Sequence, residues 1–399
     1  MKRWLNNALL VLLSLVFALA LGETGLWLLG IEYPRFYEAD PHLGSRLRPG
    51  IEGYWLEEGG GYVRVNSDGL RDREHSLTPS PNILRIAVLG DSFAEAKEVN
   101  REEAFWAVME TGLQECSILS NRQVEVINFG QSGFGSTQEL LALRHRVWKY
   151  SPDVVLLAVV TGNDIADNSP NYRQWYFFPY FTYQDGKLVL YNRHTREGWD
   201  VFTESEKTIQ KVWRLWLKRW LEDNSRVFQL IRYSHKRAAV QWNKLSKRRQ
   251  AAAALGGPEP GLSDAVYREP DQAVWQEAWK ITEAALLLMR DEVAAHGAKF
   301  FVVVLTNGVQ VHPDPLNREN YARWIGVPDL LYPDRRLAEF CRREGIPILL
   351  LAPAFQEYAT KHQVFLHGFG NSLGTGHWNQ AGHRLAGKML AEWLCGQFQ

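Results

Sequence analysis

The chain has 399 residues, enough for one large α/β unit with insertions or for two modest units. Lys plus Arg and Asp plus Glu both number 45, so no overall field draws the chain to nucleic acid, and a 46% hydrophobic share excludes a disordered polymer. The three cysteines, Cys116, Cys341 and Cys395, are far apart without a CxxC, which excludes a zinc framework and leaves a Cys341–Cys395 pair as an open question.

Lys2 and Arg3 precede an uncharged run from Trp4 to Gly22, nearly long enough to span a bilayer. Positive charge on the cytoplasmic side sends the remainder outward. Residues 1–31 are therefore expected to be an uncleaved anchor in the cytoplasmic membrane with the body on the periplasmic side. A secreted form cleaved after Ala18-Leu19-Ala20 is the rival. Residues 32–81 are expected to be a connector with a small β element, YVRVNSDGLRD, folded onto the main domain.

From residue 82 onward strands and helices alternate. Strands are expected over Ile83–Leu89, Val124–Asn128, Asp153–Val160, Lys299–Leu305 and Pro347–Leu351. Helices are expected around Glu102–Gln114, Thr137–Lys149, Gln272–Ala295 and Arg335–Arg343, and after Asn379. Apolar, β-branched strands of this kind are buried on both faces, so residues 82–399 should form a three-layer α/β/α, doubly wound parallel sheet. An insertion over 165–270 interrupts it, with a hairpin turning at Asp185-Gly186, a basic aromatic helical segment from about Ser205 to Ala254, and a glycine-proline loop at 256–261. The basic segment is expected to be a solvated face, with contact to anionic headgroups or an acidic polymer as the rival.

In an open parallel sheet, reactive groups gather at the carboxyl ends of the strands. Here those ends carry Gly90-Asp91-Ser92, the loop NFGQSGFGS (Asn128–Ser136) and Thr161-Gly162-Asn163-Asp164, and GTGHWNQAGH (Gly374–His383) precedes the last helix. A serine needs a base to take its proton, and histidine titrates near neutrality. The N–H groups of Ser92 and Gly133 with the Asn163 amide would supply an oxyanion hole, each donor worth about 2.7 to 4 kcal/mol. Each block alone is an ordinary turn, loop or cap; together they point to acyl transfer.

Those four blocks resemble an SGNH hydrolase of the broad GDSL esterase and lipase family, over roughly Ile83–Leu394 apart from the insertion. The resemblance implies a flavodoxin-like sheet, Ser92 as nucleophile, His377 as general base, Gly133 and Asn163 as oxyanion donors, and Asp91 shaping the nucleophile turn. No metal or other cofactor is implied. The anchor, NSDGLRD and the LHGFG…GHWN ending are similar to a membrane-tethered bacterial subgroup associated with envelope or exopolysaccharide chemistry. The implied partner is an ester-bearing substrate such as an O-acetylated polysaccharide.

The chain departs from that pattern at Gly374, three residues before His377, where the family usually has an aspartate. Three readings follow: a Ser92–His377 dyad steadied by a backbone carbonyl, a carboxylate from elsewhere such as Glu357, or a site without activity. His367 and His383 are expected to be structural. Sugar O-acylation by the same site, an inactive glycan-binding or assembly protein, and a metal-dependent phosphoesterase using Asp91, Asn163, Asp164 and His377 are the competing functions, the last ranking lowest.

Overall fold

The computed structural model describes residues 2–169, 178–191, 209–251 and 263–398. Its first element, α1 (Lys2–Leu28), is long and apolar enough to cross a membrane, and its most apolar stretch is not buried against the protein. Two antiparallel hairpins follow, β1 (Tyr37–Asp40) with β2 (Gly44–Leu47) and β3 (Glu52–Tyr54) with β4 (Tyr62–Arg64). Phe36, Leu47, Val63 and Val65 close a small core between them.

The central sheet is built from β5 (Ile83–Gly90), β6 (Gln123–Asn128), β7 (Val154–Val160), β10 (Lys299–Leu305) and β11 (Ile348–Leu350). All pairings are parallel and the order is β11-β10-β7-β5-β6, so the first strand sits inside the sheet and the chain winds outward in both directions. Every residue of β7 is buried, as expected of a strand covered on both faces. One face is packed by α4 (Ser136–His145), α8 (Ala273–Ala295) and α10 (Tyr332–Arg343), the other by α3 (Phe105–Gln114), α11 (Ala352–His362) and α12 (Gln380–Gly396). The fold is the three-layer, doubly wound sheet that the alternation of strands and helices implied.

Within the expected insertion, a hairpin of β8 (Tyr180–Gln184) and β9 (Lys187–Tyr191) turns at Asp185-Gly186, both with positive φ. The basic segment divides into α6 (Ile209–Asn224) and α7 (Arg226–Ala251), broken at Ser225. Residues 170–177, 192–208 and 252–262 lie outside the described residues, and so does the glycine-proline loop.

Three details differ from the sequence reading. The segment from Arg101 to Glu103 is a single 3₁₀ turn capped by Asn100, so α3 begins only at Phe105. Helices α9 (Pro315–Ile325) and α11 were not anticipated, although each has proline in its first turn and Asp314 caps α9 by accepting from the Leu316 N–H. Cys395 pairs with Cys116 rather than with Cys341, because α12 lies along α3, while Cys341 is buried and reduced on the opposite face of the sheet.

Candidate active site

The carboxyl end of β5 runs straight into α2 (Ser92–Glu95). Asp91 caps this short helix by accepting from the Phe93 N–H at 2.9 Å, and its other oxygen accepts from the Asn163 amide at 3.2 Å. The turn therefore fixes Ser92 at the start of a helix, where its own N–H points outward. His377 is delivered by the loop before α12. That loop is pinned to the segment ahead of it: Gly368 N–H donates to the His377 carbonyl at 2.8 Å and Asn379 N–H to Leu366 at 3.1 Å.

His367 serves this loop as a strut. Its Nδ1 lies 2.7 Å from the Gly376 carbonyl and its Nε2 2.8 Å from Thr306 Oγ1, which also accepts from the Trp378 indole at 2.8 Å. Burial drives the His367 pKa down to about 4, so the ring stays neutral, its Nδ1–H donating to Gly376 and its Nε2 accepting from Thr306.

Nε2 of His377 lies 2.8 Å from Ser92 Oγ, and Nδ1 of the same ring lies 2.6 Å from Glu58 Oε2. The His377 backbone N–H also donates to Glu58 Oε1 at 3.0 Å. Serine, imidazole and carboxylate thus form a continuous chain, and neither a dyad steadied by a carbonyl nor Glu357 describes the arrangement. Glu357 sits on α11 beside Pro353, Thr360 and Lys361, facing a surface cleft. The position where the family pattern has aspartate cannot supply the acid. Gly374 has φ +86°, and a Cβ there would lie 3.2 Å from the Phe365 ring.

Glu58 comes from the connector, in the loop Glu57-Glu58-Gly59-Gly60-Gly61 between β3 and β4. Gly59 has φ +70°, and a Cβ there would lie 2.1 Å from the Glu98 carbonyl oxygen, so only glycine lets the loop press onto the turn at Lys97–Val99. A hydrogen bond from Gly60 N–H to the same carbonyl, 3.2 Å, completes the contact. Two adjacent glutamates ahead of three glycines were the available signal in sequence, a carboxylate on a backbone able to approach closely.

Burial disfavours the imidazolium, but the charges of Glu98, Glu58 and Asp91 and the hydrogen bond to Glu58 outweigh it and raise the His377 pKa to about 9. Burial alone would lift Glu58; its bonds to His377 prevail and hold it below the ordinary carboxylate range.

The second strand end contributes the loop Gly130–Gly135. Glu95, at the end of α2, accepts from Ser132 N–H at 2.6 Å and from the Ser132 hydroxyl, and Tyr37 donates to it at 2.7 Å. Lys97, 3.3 Å from Glu95, balances its charge while lying over the rings of Tyr37 and Trp55. This buried group ties the loop bearing Gly133 to the helix bearing Ser92. Among the described residues, neither the Ser92 nor the Gly133 N–H donates to a backbone acceptor. The third strand end places Asn163 against Asp91, so Ser92, Gly133 and Asn163 come from three adjacent strands, β5, β6 and β7.

Behind Asn163, Asp164 at the start of α5 (Asp164–Asp167) and Glu139 on α4 are fully buried. Asp164 accepts from Val160 N–H at 2.7 Å, while both Glu139 oxygens lack a partner. Burial, then repulsion among Glu139, Asp164 and Asp91, pushes both pKa values well up and favours the protonated carboxyls. A cleft of about 200 Å³ lined by Tyr33, Tyr37, Tyr54, Trp55 and Tyr233 opens beside Glu57, the neighbour of Glu58.

No family model and no curated protein matches the chain. Among solved structures it is similar to an acetyl xylan esterase at 14% identity and a TM-score of 0.38, covering 77% of this chain and 98% of that one. It is also similar to a G-D-S-L family protein from Desulfitobacterium hafniense, at 12% identity and 0.35, covering 77% and 98%. A catalytic mutant of an acetylxylan esterase from Geobacillus stearothermophilus matches at 10% identity and 0.37, covering 78% and 94%.

Proposed function

We propose that the chain is a serine-type carboxyl-ester hydrolase, anchored by α1 with its body outside the cytoplasm, that removes O-acyl groups such as acetyl from an envelope or exopolysaccharide. The observation that carries the chemistry is the run Ser92 Oγ, His377 and Glu58 at 2.8 and 2.6 Å. His377 takes the Ser92 proton as Oγ attacks the ester carbonyl, and Glu58 holds the ring so that Nε2 faces the serine and stabilises the imidazolium. The oxyanion is met by the N–H groups of Ser92 and Gly133 and the Asn163 amide. His377 then protonates the leaving alcohol, and water, deprotonated by the same ring, releases the acid from Ser92. A sugar hydroxyl in place of that water would give O-acyl transfer.

The Cys116–Cys395 bond supports an extracytoplasmic site, since such bonds persist in oxidising compartments. The polysaccharide rests on the sequence resemblance and the anchor. A fluorophosphonate probe should label the full chain at Ser92 and fail on Ser92→Ala; absence of labelling in the folded protein would overturn the hydrolase reading and favour a binding role. Acetate release from an acetylated glycan, with and without an acceptor sugar, separates hydrolysis from transfer, and EDTA should leave the rate unchanged.

A further inference from the structure

The apolar helix α1 does not stand clear of the rest of the molecule. Its first charged residue after the run from Trp4 to Gly22 is Glu23, which accepts from the Ser225 hydroxyl and, at 2.8 Å, from the Arg226 N–H. Glu23 therefore caps the start of α7 from a different helix. Arg226 reaches back to the Leu26 carbonyl at 3.2 Å and pairs with Glu32 at 3.1 Å. Tyr33 stacks on Tyr233 with centroids 4.3 Å apart, and its N–H donates to Gln229 at 2.9 Å. The junction of α6 and α7 is thus fastened to the outer end of α1.

It is fastened to the body as well. Asp223 pairs with Arg48 at 2.6 Å, and the Tyr233 hydroxyl donates to the Leu56 carbonyl at 3.0 Å. The nineteen uncharged residues from Trp4 to Gly22 make about 28 Å of helix, close to the ~30 Å hydrocarbon thickness. A bilayer around them puts Glu23, and with it Ser225, at the boundary with the headgroups.

Beside that boundary α6 presents apolar side chains to the outside. Trp216 is 63% exposed, Trp220 48% and Leu217 36%, and their spacing puts them on one stripe of the helix. Glu222, on the other side, is buried and turned toward the body. Ile231 on α7 and Trp27 at the end of α1 are also exposed. An amphipathic helix with tryptophans on its apolar side lies in the headgroup layer, sunk about 5 to 10 Å into the acyl boundary. Trp220 and Trp216 precede Ser225 by about 7 and 14 Å of helix axis, so a helix lying along the membrane plane keeps both at that depth.

We propose that α6 is an interfacial helix, laid on the outer leaflet of the bilayer that α1 crosses, with Trp216, Leu217 and Trp220 in the lipid. This rests on the reading of α1 as a membrane span. It replaces the expectation of a wholly solvated face: among the lysines and arginines of the segment, Trp216, Leu217 and Trp220 are exposed.

The test uses the full chain in phosphatidylethanolamine–phosphatidylglycerol vesicles, with a nitroxide at Trp216→Cys, Trp220→Cys, Lys218→Cys or Leu12→Cys. Cys341 is buried and the other two cysteines are bonded, so the unsubstituted chain is the blank. Labels at 216 and 220 should show several-fold lower access to an aqueous nickel chelate than the label at 218, with high access to oxygen. Equal nickel access at 216, 220 and 218, with position 12 deep in lipid, overturns the proposal and leaves the anchor standing. Low access to both quenchers marks a protein contact and also overturns it. Nickel access at position 12 overturns the anchor and the proposal together. Fluorophosphonate labelling of each variant confirms that it is folded.

Discussion

The carboxylate of Glu58 lies 2.6 Å from Nδ1 of His377, although 319 positions of sequence separate the two residues. Glu58→Gln keeps the shape and removes the charge. The expected result is a fall in kcat of about 10⁴ with little change in KM, as for loss of the acid in serine triads. Glu357→Gln should leave the rate at the wild-type value. Ester hydrolysis by the two variants, side by side, decides between the carboxylates.

The pH profile follows from the raised imidazole. His377 accepts the Ser92 proton only when neutral, and its pKa of about 9 keeps it charged at pH 7 in the free enzyme. The logarithm of kcat/KM should therefore rise with pH across neutrality and level off near pH 9. Glu58→Gln removes part of what favours the charged ring, so its inflection should move to lower pH. A profile already flat at pH 7 would contradict the raised value. The same shift stabilises the fold at low pH: this contribution is complete below the ordinary histidine value of about 6.5 and is lost as pH rises through about 9.

Asn163 is the only side-chain donor proposed for the oxyanion. Asn163→Ala should lower kcat by about 10² to 10³. It also removes the Asn163 hydrogen bond to Asp91, so a thermal melt alongside the kinetics shows whether the turn at Ser92 survives.

The buried carboxyl pair behind the site gives a stability prediction with a definite sign. Glu139 is buried with no partner for either oxygen, and its raised pKa means that folding is favoured by its protonation. That preference is satisfied below its unfolded pKa and opposes folding as pH rises above it. Glu139→Gln should therefore raise Tm at pH 7, with the gain vanishing below about pH 4. The new amide can donate to Asp164 Oδ1, which lacks a partner.

Breaking the link between α3 and α12 should cost stability rather than chemistry. Cys116→Ser with Cys395→Ser removes a cross-link spanning 279 positions, and a loss of about 2 to 5 kcal/mol is expected by denaturant titration. The folded variant should still be labelled at Ser92.

Much of this architecture was written in local pattern. The run Val154–Val160 is wholly apolar and could only be a strand covered on both faces, and the turns at Gly90, Gly130 and Gly162 marked the carboxyl ends where chemistry collects. What local pattern did not carry was pairing across distance. The partner of Cys395 depended on which helix lies along α12, and the partner of His377 on how a connector folds back over the sheet. The fixed spacing before His377 pointed at Gly374, a position whose backbone φ is unsuited to a side chain. Glu58 was hidden because its one local mark, two glutamates ahead of three glycines, does not name the distant histidine it meets. The tryptophans of α6 were masked by the lysines and arginines among them.

The contact between Glu58 and His377 also makes the site a gauge of completed folding. On the proposed reading the acid and the nucleophile are 34 positions apart (92 less 58), whereas the base lies 285 positions beyond the nucleophile. A chain whose connector has docked but whose loop before α12 has not would hold serine and carboxylate without the ring between them. Ester cleavage would then report closure of the whole molecule, and partly folded chains would be inert toward the acyl groups around them.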